Sequence, residues 1–146
     1  MKVYLDTCSP QCPLDSRSQI RIILEAEAIL GLLSLVESGQ VDLVSSEALL
    51  FETERNPNTV RRQYALEVLS KADTFVVLNE QIEHSAEALA ARGLQPLDAL
   101  HLASAEEARA EYLCTCDDQF LQRARLLEKT SVRVVSPVEL IEEIEK

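Results

Sequence analysis

Four carboxylates stand at positions where an acidic side chain is costly without a cation nearby. Asp6 follows the short apolar run Val3-Tyr4-Leu5, and Asp117 closes a second such run through Thr115-Cys116. Glu52 sits on a helical stretch after a third apolar run, and Asp98 stands two residues behind Pro96, near a helix start. Like charges gathered at one place repel unless a cation holds them together, and carboxylate oxygens are suitable ligands for hard divalent ions. Four of them around one or two divalent ions suit in-line displacement at phosphorus. One ion activates water, both offset charge on the attacking and leaving oxygens, and no covalent nucleophile is required.

Each residue also has a plainer reading. Asp6 and Asp117 could be turn residues, and Asp98 an early-turn acid favoured by the helix dipole by about 0.3–1 kcal/mol. Glu52, with Glu47 and Glu54 close by, could belong to a solvated helix face. His101, three residues after Asp98 and so on the same helix side, invites assignment as a general base. The favoured reading is a packed histidine that supports the acids or the core.

The elements that must position these groups alternate along the chain. Val3 to Leu5 reads as a strand, followed by the loop Ser9-Pro10-Gln11-Cys12-Pro13. Ile22, Ala26, Ile29, Leu33 and Val36 recur at helical spacing from about Ser18 to Ser38, with Gly39 as the C-terminal stop. Val41 to Val44 is a second strand, after which Ser45 or Ser46 caps a helix that ends at Asn56-Pro57. Pro57 starts a helix to about Lys71, Phe75 to Leu78 is a third strand, and Ile82 to Ala91 a helix closed by Gly93. Pro96 opens a helix carrying Leu97, Leu100, Ala103 and Ala108, leading to a strand at Tyr112 to Thr115. Asp118 is expected to cap a helix from Phe120 to Leu127, Val132 to Val135 is the fifth strand, and Pro137 begins the last helix. Such alternation argues for a parallel sheet covered on both faces, in which ligands bind beyond the carboxyl ends of the strands.

At this point the motifs become recognisable. Val3-Tyr4-Leu5-Asp6-Thr7, Ser45-Ser46 with Glu52, Pro96-Leu97-Asp98-Ala99-Leu100-His101-Leu102-Ala103 and Thr115-Cys116-Asp117 resemble, in order, the motifs of the PIN-domain family. The resemblance spans nearly the whole chain. It implies an α/β/α sandwich with a five-stranded parallel sheet of order 3-2-1-4-5. It also implies an acidic pocket for Mg²⁺ or Mn²⁺, and products with 5′-phosphate and 3′-hydroxyl ends. By position Asp6, Glu52, Asp98 and Asp117 match the acidic quartet, as metal ligands and catalytic residues. Many relatives carry a further acid where this chain has Gln119; Asp118 beside it is assigned to the helix cap. Family members include toxin ribonucleases of bacterial toxin-antitoxin pairs, RNA-processing nucleases and structure-specific DNA nucleases. The implied expectation is a single-strand-directed endoribonuclease with an RNA substrate, a cognate antitoxin partner and pairing into a homodimer. The alternative is a catalytically quiet PIN-like module acting through protein binding.

Bulk properties bound these readings. At 146 residues one domain over residues 1–146 is the default. No apolar run approaches the ~20 residues that span a bilayer, and the start of the chain resembles no signal peptide, so a cytoplasmic protein away from membranes is expected. The net charge of −11 opposes non-specific DNA binding. Much of it is segregated on Glu106, Glu107 and Glu111 and on Glu139, Glu142, Glu143 and Glu145, while Arg55, Arg61 and Arg62 form the best local basic patch. Cys8, Cys12, Cys114 and Cys116 have unusual spacing for zinc and read as small buried or partly buried thiols. Two rival phosphoryl-transfer folds are weakened: Cys8 stands where a haloacid-dehalogenase-type phosphatase needs its second Asp, and Leu78-Asn79 where a response-regulator receiver needs its phosphoacceptor.

Overall fold

The computed structural model describes residues 1–6, 20–127 and 130–145. Five short strands are β1 (Lys2–Leu5), β2 (Asp42–Ser46), β3 (Thr74–Val76), β4 (Tyr112–Cys114) and β5 (Arg133–Val135). The helices among the described residues are α1 (Ile20–Glu37), α2 (Glu47–Glu54), α3 (Thr59–Leu69), α4 (Glu80–Ala91), α5 (Pro96–Glu107), α6 (Asp118–Arg125) and α7 (Pro137–Glu145). The strands form one parallel sheet in the order β3-β2-β1-β4-β5, the expected order.

Period-two alternation divides the core into two layers, because successive strand side chains leave opposite faces. Tyr4, Val44, Val76 and Leu113 pack with Leu49 of α2, Ile82 and Leu89 of α4, Leu102 of α5 and Phe120 of α6. On the other face Val3, Leu5, Leu43, Cys114 and Val135 meet Ile29 and Leu32 of α1, Val68 of α3 and Leu140 of α7. The result is a three-layer α/β/α sandwich. Full burial of such side chains is worth about 1.5–3 kcal/mol each, which is what holds three-residue strands in register.

The sheet order changes direction between β1 and β4, and in open parallel sheets the crevice outside the carboxyl ends at such a point is where ligands bind. Leu5 pairs with Cys114 at that end, so Asp6 and Thr115 follow side by side. α2 starts directly from the end of β2, α6 starts beyond the end of β4, and the N-terminus of α5 lies at the same edge because its C-terminus feeds back to the start of β4.

Several local expectations are corrected. Pro57 does not begin α3; Asn58 caps it, accepting from Arg61 N–H, and the helix starts at Thr59. The third strand is Thr74–Val76 rather than Phe75 to Leu78, since Asn79 caps α4 and the chain leaves the sheet before it. Asp117, not Asp118, caps α6, so that helix spans Asp118–Arg125. The loop with Cys8 and Cys12 lies outside the described residues. Cys114 is a buried thiol as expected, whereas Cys116 is disulfide-bonded and not a thiol.

Candidate functional site

The crevice begins with Asp6, whose backbone N–H continues the sheet ladder to Cys114 O at 2.9 Å. That bond fixes where the side chain goes, and the carboxylate is 5 % exposed. Asp6 Oδ2 accepts from the Thr115 hydroxyl at 2.7 Å, and Thr115 Oγ1 accepts from Asp117 N–H at 3.1 Å. Thr115 therefore ties the ends of β1 and β4 together. Asp117 Oδ1 takes the N–H groups of Gln119 (2.9 Å) and Phe120 (3.3 Å), which satisfies two of the donors left over at the start of α6.

Glu52 reaches the same place from α2. Its Oε2 lies 2.9 Å from His101 Nε2, which is also 3.5 Å from Asp6 Oδ1. His101 comes from α5, one turn beyond Asp98, and is 1 % exposed. Its Nδ1 meets the Tyr4 hydroxyl at 2.7 Å, and that hydroxyl meets Ser46 Oγ at 2.7 Å. Single ligand atoms of Asp6, Glu52 and His101 all lie within 4.8 Å of one another.

The electrostatics bind Asp98 and Asp117 to the same group. Burial, then the charges of Asp6 and Asp117, push the Asp98 carboxyl up to about 6, with Glu52 adding to the rise and His101 opposing it. For His101, burial works against the charged form, but the Glu52 hydrogen bond and the charges of Asp6, Glu52 and Asp98 outweigh it and raise its pKa. The Tyr4 phenol is driven well above its ordinary value, chiefly by burial, so it remains a hydroxyl.

The structure brings Asp6 and Glu52 together at the buried His101, and it places Asp98 where the charges of Asp6, Asp117 and Glu52 reach it. Reasoning from the sequence missed the roles of Tyr4, Ser46 and Thr115. Tyr4 offered a signal: a phenol between Val3 and Leu5 in a buried strand must find a polar partner. Among the arginines, the Arg55 guanidinium carbon lies 4.0 Å over the Phe51 ring, and Arg62 Nη1 donates to Asn56 O at 3.1 Å. The Arg62 bond is structural; Phe51 and Arg55 are exposed beside Glu52. Asp118 accepts from both terminal guanidinium nitrogens of Arg21, joining α6 to α1.

The PIN domain family model matches residues 16–126, a stretch that holds Glu52, Asp98 and Asp117 but stops short of Asp6. Two solved structures have a similar fold. One, described as VapBC2 from Rickettsia felis bound to a DNA fragment from their promoter, superposes with a TM-score of 0.62 at 14% identity. It covers 93% of this chain and 98% of that one. The other, PAE2754 from Pyrobaculum aerophilum, gives a TM-score of 0.50 at 17% identity with full coverage of both chains. No curated protein sequence matches the chain.

Proposed function

The chain belongs to the PIN-domain family, and from that premise we propose that it is a single-domain Mg²⁺- or Mn²⁺-dependent phosphodiester hydrolase, acting as a single-strand-directed endoribonuclease. The observation that carries this reading is that Asp6 and Glu52 meet at His101 while Asp98 is raised by burial and then by the charges of Asp6 and Asp117, with Glu52 adding to the rise. An all-carboxylate donor set of this kind fits a hard divalent cation. Asp6, Asp98, Asp117 and Glu52 would hold it. When bound, such a cation supplies Lewis-acid chemistry: activation of water and stabilisation of charge at the phosphoryl group.

The chain's own groups then do the rest. Thr115 holds Asp6 at the end of β1, the α6 cap holds Asp117, and His101 holds Glu52. Phe51 and Arg55, one beside and one a turn beyond Glu52, offer an aromatic face and a cation to an unpaired nucleotide, which supports a single-stranded substrate. The similarity to VapBC2 supports the toxin of a toxin-antitoxin pair in the cytoplasm. The exposed apolar residues Ile20, Ile23, Leu24 and Leu30 of α1 support a protein partner, an antitoxin or a second copy in a homodimer.

Cleavage of a single-stranded RNA by the wild type and Asp6→Asn, in Mg²⁺, in Mn²⁺ and in chelator, tests the reading. Wild-type products with 5′-phosphate ends in metal alone, and a loss of at least ~100-fold in Asp6→Asn, are expected. A wild type that cleaves nothing in either metal would favour the catalytically quiet binding module, for which the net charge of −11 already argues.

A further inference from the structure

Distance alone allows His101 Nε2 two roles, since it lies as well placed for a metal shared with Asp6 and Glu52 as for donating a proton to Glu52. The buried groups behind it decide between them. Ser46 Oγ, wholly buried, accepts from Leu49 N–H at 3.1 Å and, among the described residues, has one other partner, the Tyr4 hydroxyl at 2.7 Å. Tyr4 has Ser46 on one side and His101 Nδ1 on the other. Each hydroxyl owns one proton. If Tyr4 donated to Ser46, the Ser46 proton would have no acceptor among the described residues, an arrangement that buried polar groups generally avoid. With Ser46 donating to Tyr4, Tyr4 donates to Nδ1 and every proton in the chain is used. Nδ1 is then an acceptor, so the neutral ring must carry its proton on Nε2.

We propose that the chain Ser46–Tyr4–His101 fixes Nε2 as a proton donor, making His101 a positioning residue that aims the Glu52 and Asp6 carboxylates rather than a metal ligand or a general base. The hydroxyl chain sets the neutral ring; a doubly protonated imidazole would turn the Tyr4 and Ser46 hydroxyls round but would still carry a proton on Nε2. The form with a bare Nε2 is disfavoured on a second count, because it alone sets a lone pair against the Glu52 carboxylate at 2.9 Å. A hydrogen-bond partner that orients a ligating carboxylate is a general device in metal sites, and its loss costs about 10–100-fold in metal affinity or activity.

The first test needs no metal. Long-range proton–nitrogen NMR of the metal-free chain, with the exposed His84 as internal reference, should show His101 Nε2 protonated. Tyr4→Phe, which keeps the ring but removes the donor, should move the Nδ1 resonance. A bare Nε2 with a protonated Nδ1, or an unmoved Nδ1 in Tyr4→Phe, would overturn the proposal. The second test rests on the metal reading. Electron spin-echo spectroscopy of Mn²⁺ in the wild type should show no coupling to a histidine nitrogen, and His101→Gln, which returns an N–H near the Nε2 position, should bind Mn²⁺ more tightly than His101→Leu, the latter weakened by about 10–100-fold. A nitrogen coupling would overturn it, as would equal losses in the two variants. Complete absence of Mn²⁺ binding in the wild type would instead sink the proposed function, while the ring spectra still decide the tautomer.

Discussion

Asp98 records the crowding of the site in its own titration. Its carboxyl sits at about 6 against an ordinary 3.8, so the folded chain keeps this proton to higher pH than the unfolded chain does. The folded state is therefore favoured by this group at low pH, and that advantage is lost as pH rises from about 4 to about 6. His101, raised from 6.5, acts with the same sign in a later window: its contribution is complete below about 6.5 and disappears as pH climbs through the higher folded value. Without metal, Asp98→Asn should melt above the wild type near pH 7 and close to it near pH 4. Melting curves at both pH values check this, and a variant less stable at pH 7 would mean Asp98 is an ordinary helix-start acid. At this scale the acids were legible because strand-end and helix-start positions could be read from Val3 to Leu5 and from Pro96. Tyr4 and Thr115 were not, because a hydroxyl declares its partner only when the other strand or helix is in place.

At the scale of elements, Asp117 has two duties that substitution separates. As the α6 cap it accepts two backbone N–H groups, a service that Ser performs and Ala does not. Asp117→Ser should keep most of the stability and lose RNA cleavage, whereas Asp117→Ala should lose cleavage and about 1 kcal/mol of stability as well. Denaturant unfolding of the two variants without metal measures the difference; equal stability would show that the cap contributes nothing. The cap was assigned from sequence one residue too late, to Asp118, because Asp117-Asp118 offers two good caps and local pattern cannot choose between them. The ladder bond from Thr115 N–H to Val135 O, which holds the chain extended up to Asp117, makes the choice. Pro57 misled for a similar reason: proline favours a helix start, but the Asn58 side chain accepts from the Arg61 N–H three residues on, so the helix begins at Thr59.

At the scale of the molecule, alternating strands and helices were enough to read the class, and the resemblance carried the strand order. The disulfide at Cys116 was beyond reach, since cysteine spacing does not report which pairs the fold brings together. If the clustered acids hold a cation, as proposed, its binding stabilises the whole fold. Mn²⁺ at about 100 times its Kd should stabilise the wild type by about 2.7 kcal/mol, a rise of roughly 5–10 °C in Tm for a chain of this size, and Asp6→Asn should lose most of that rise. The most direct measurement is anomalous diffraction at the manganese edge from crystals grown in Mn²⁺. The expected result is a peak beyond the carboxyl ends of β1 and β4, held by carboxylate oxygens of Asp6 and Asp98 with Asp117 and Glu52 beside them, and with His101 Nε2 outside the shell. Crystals in millimolar Mn²⁺ with no peak among these four carboxylates would contradict it.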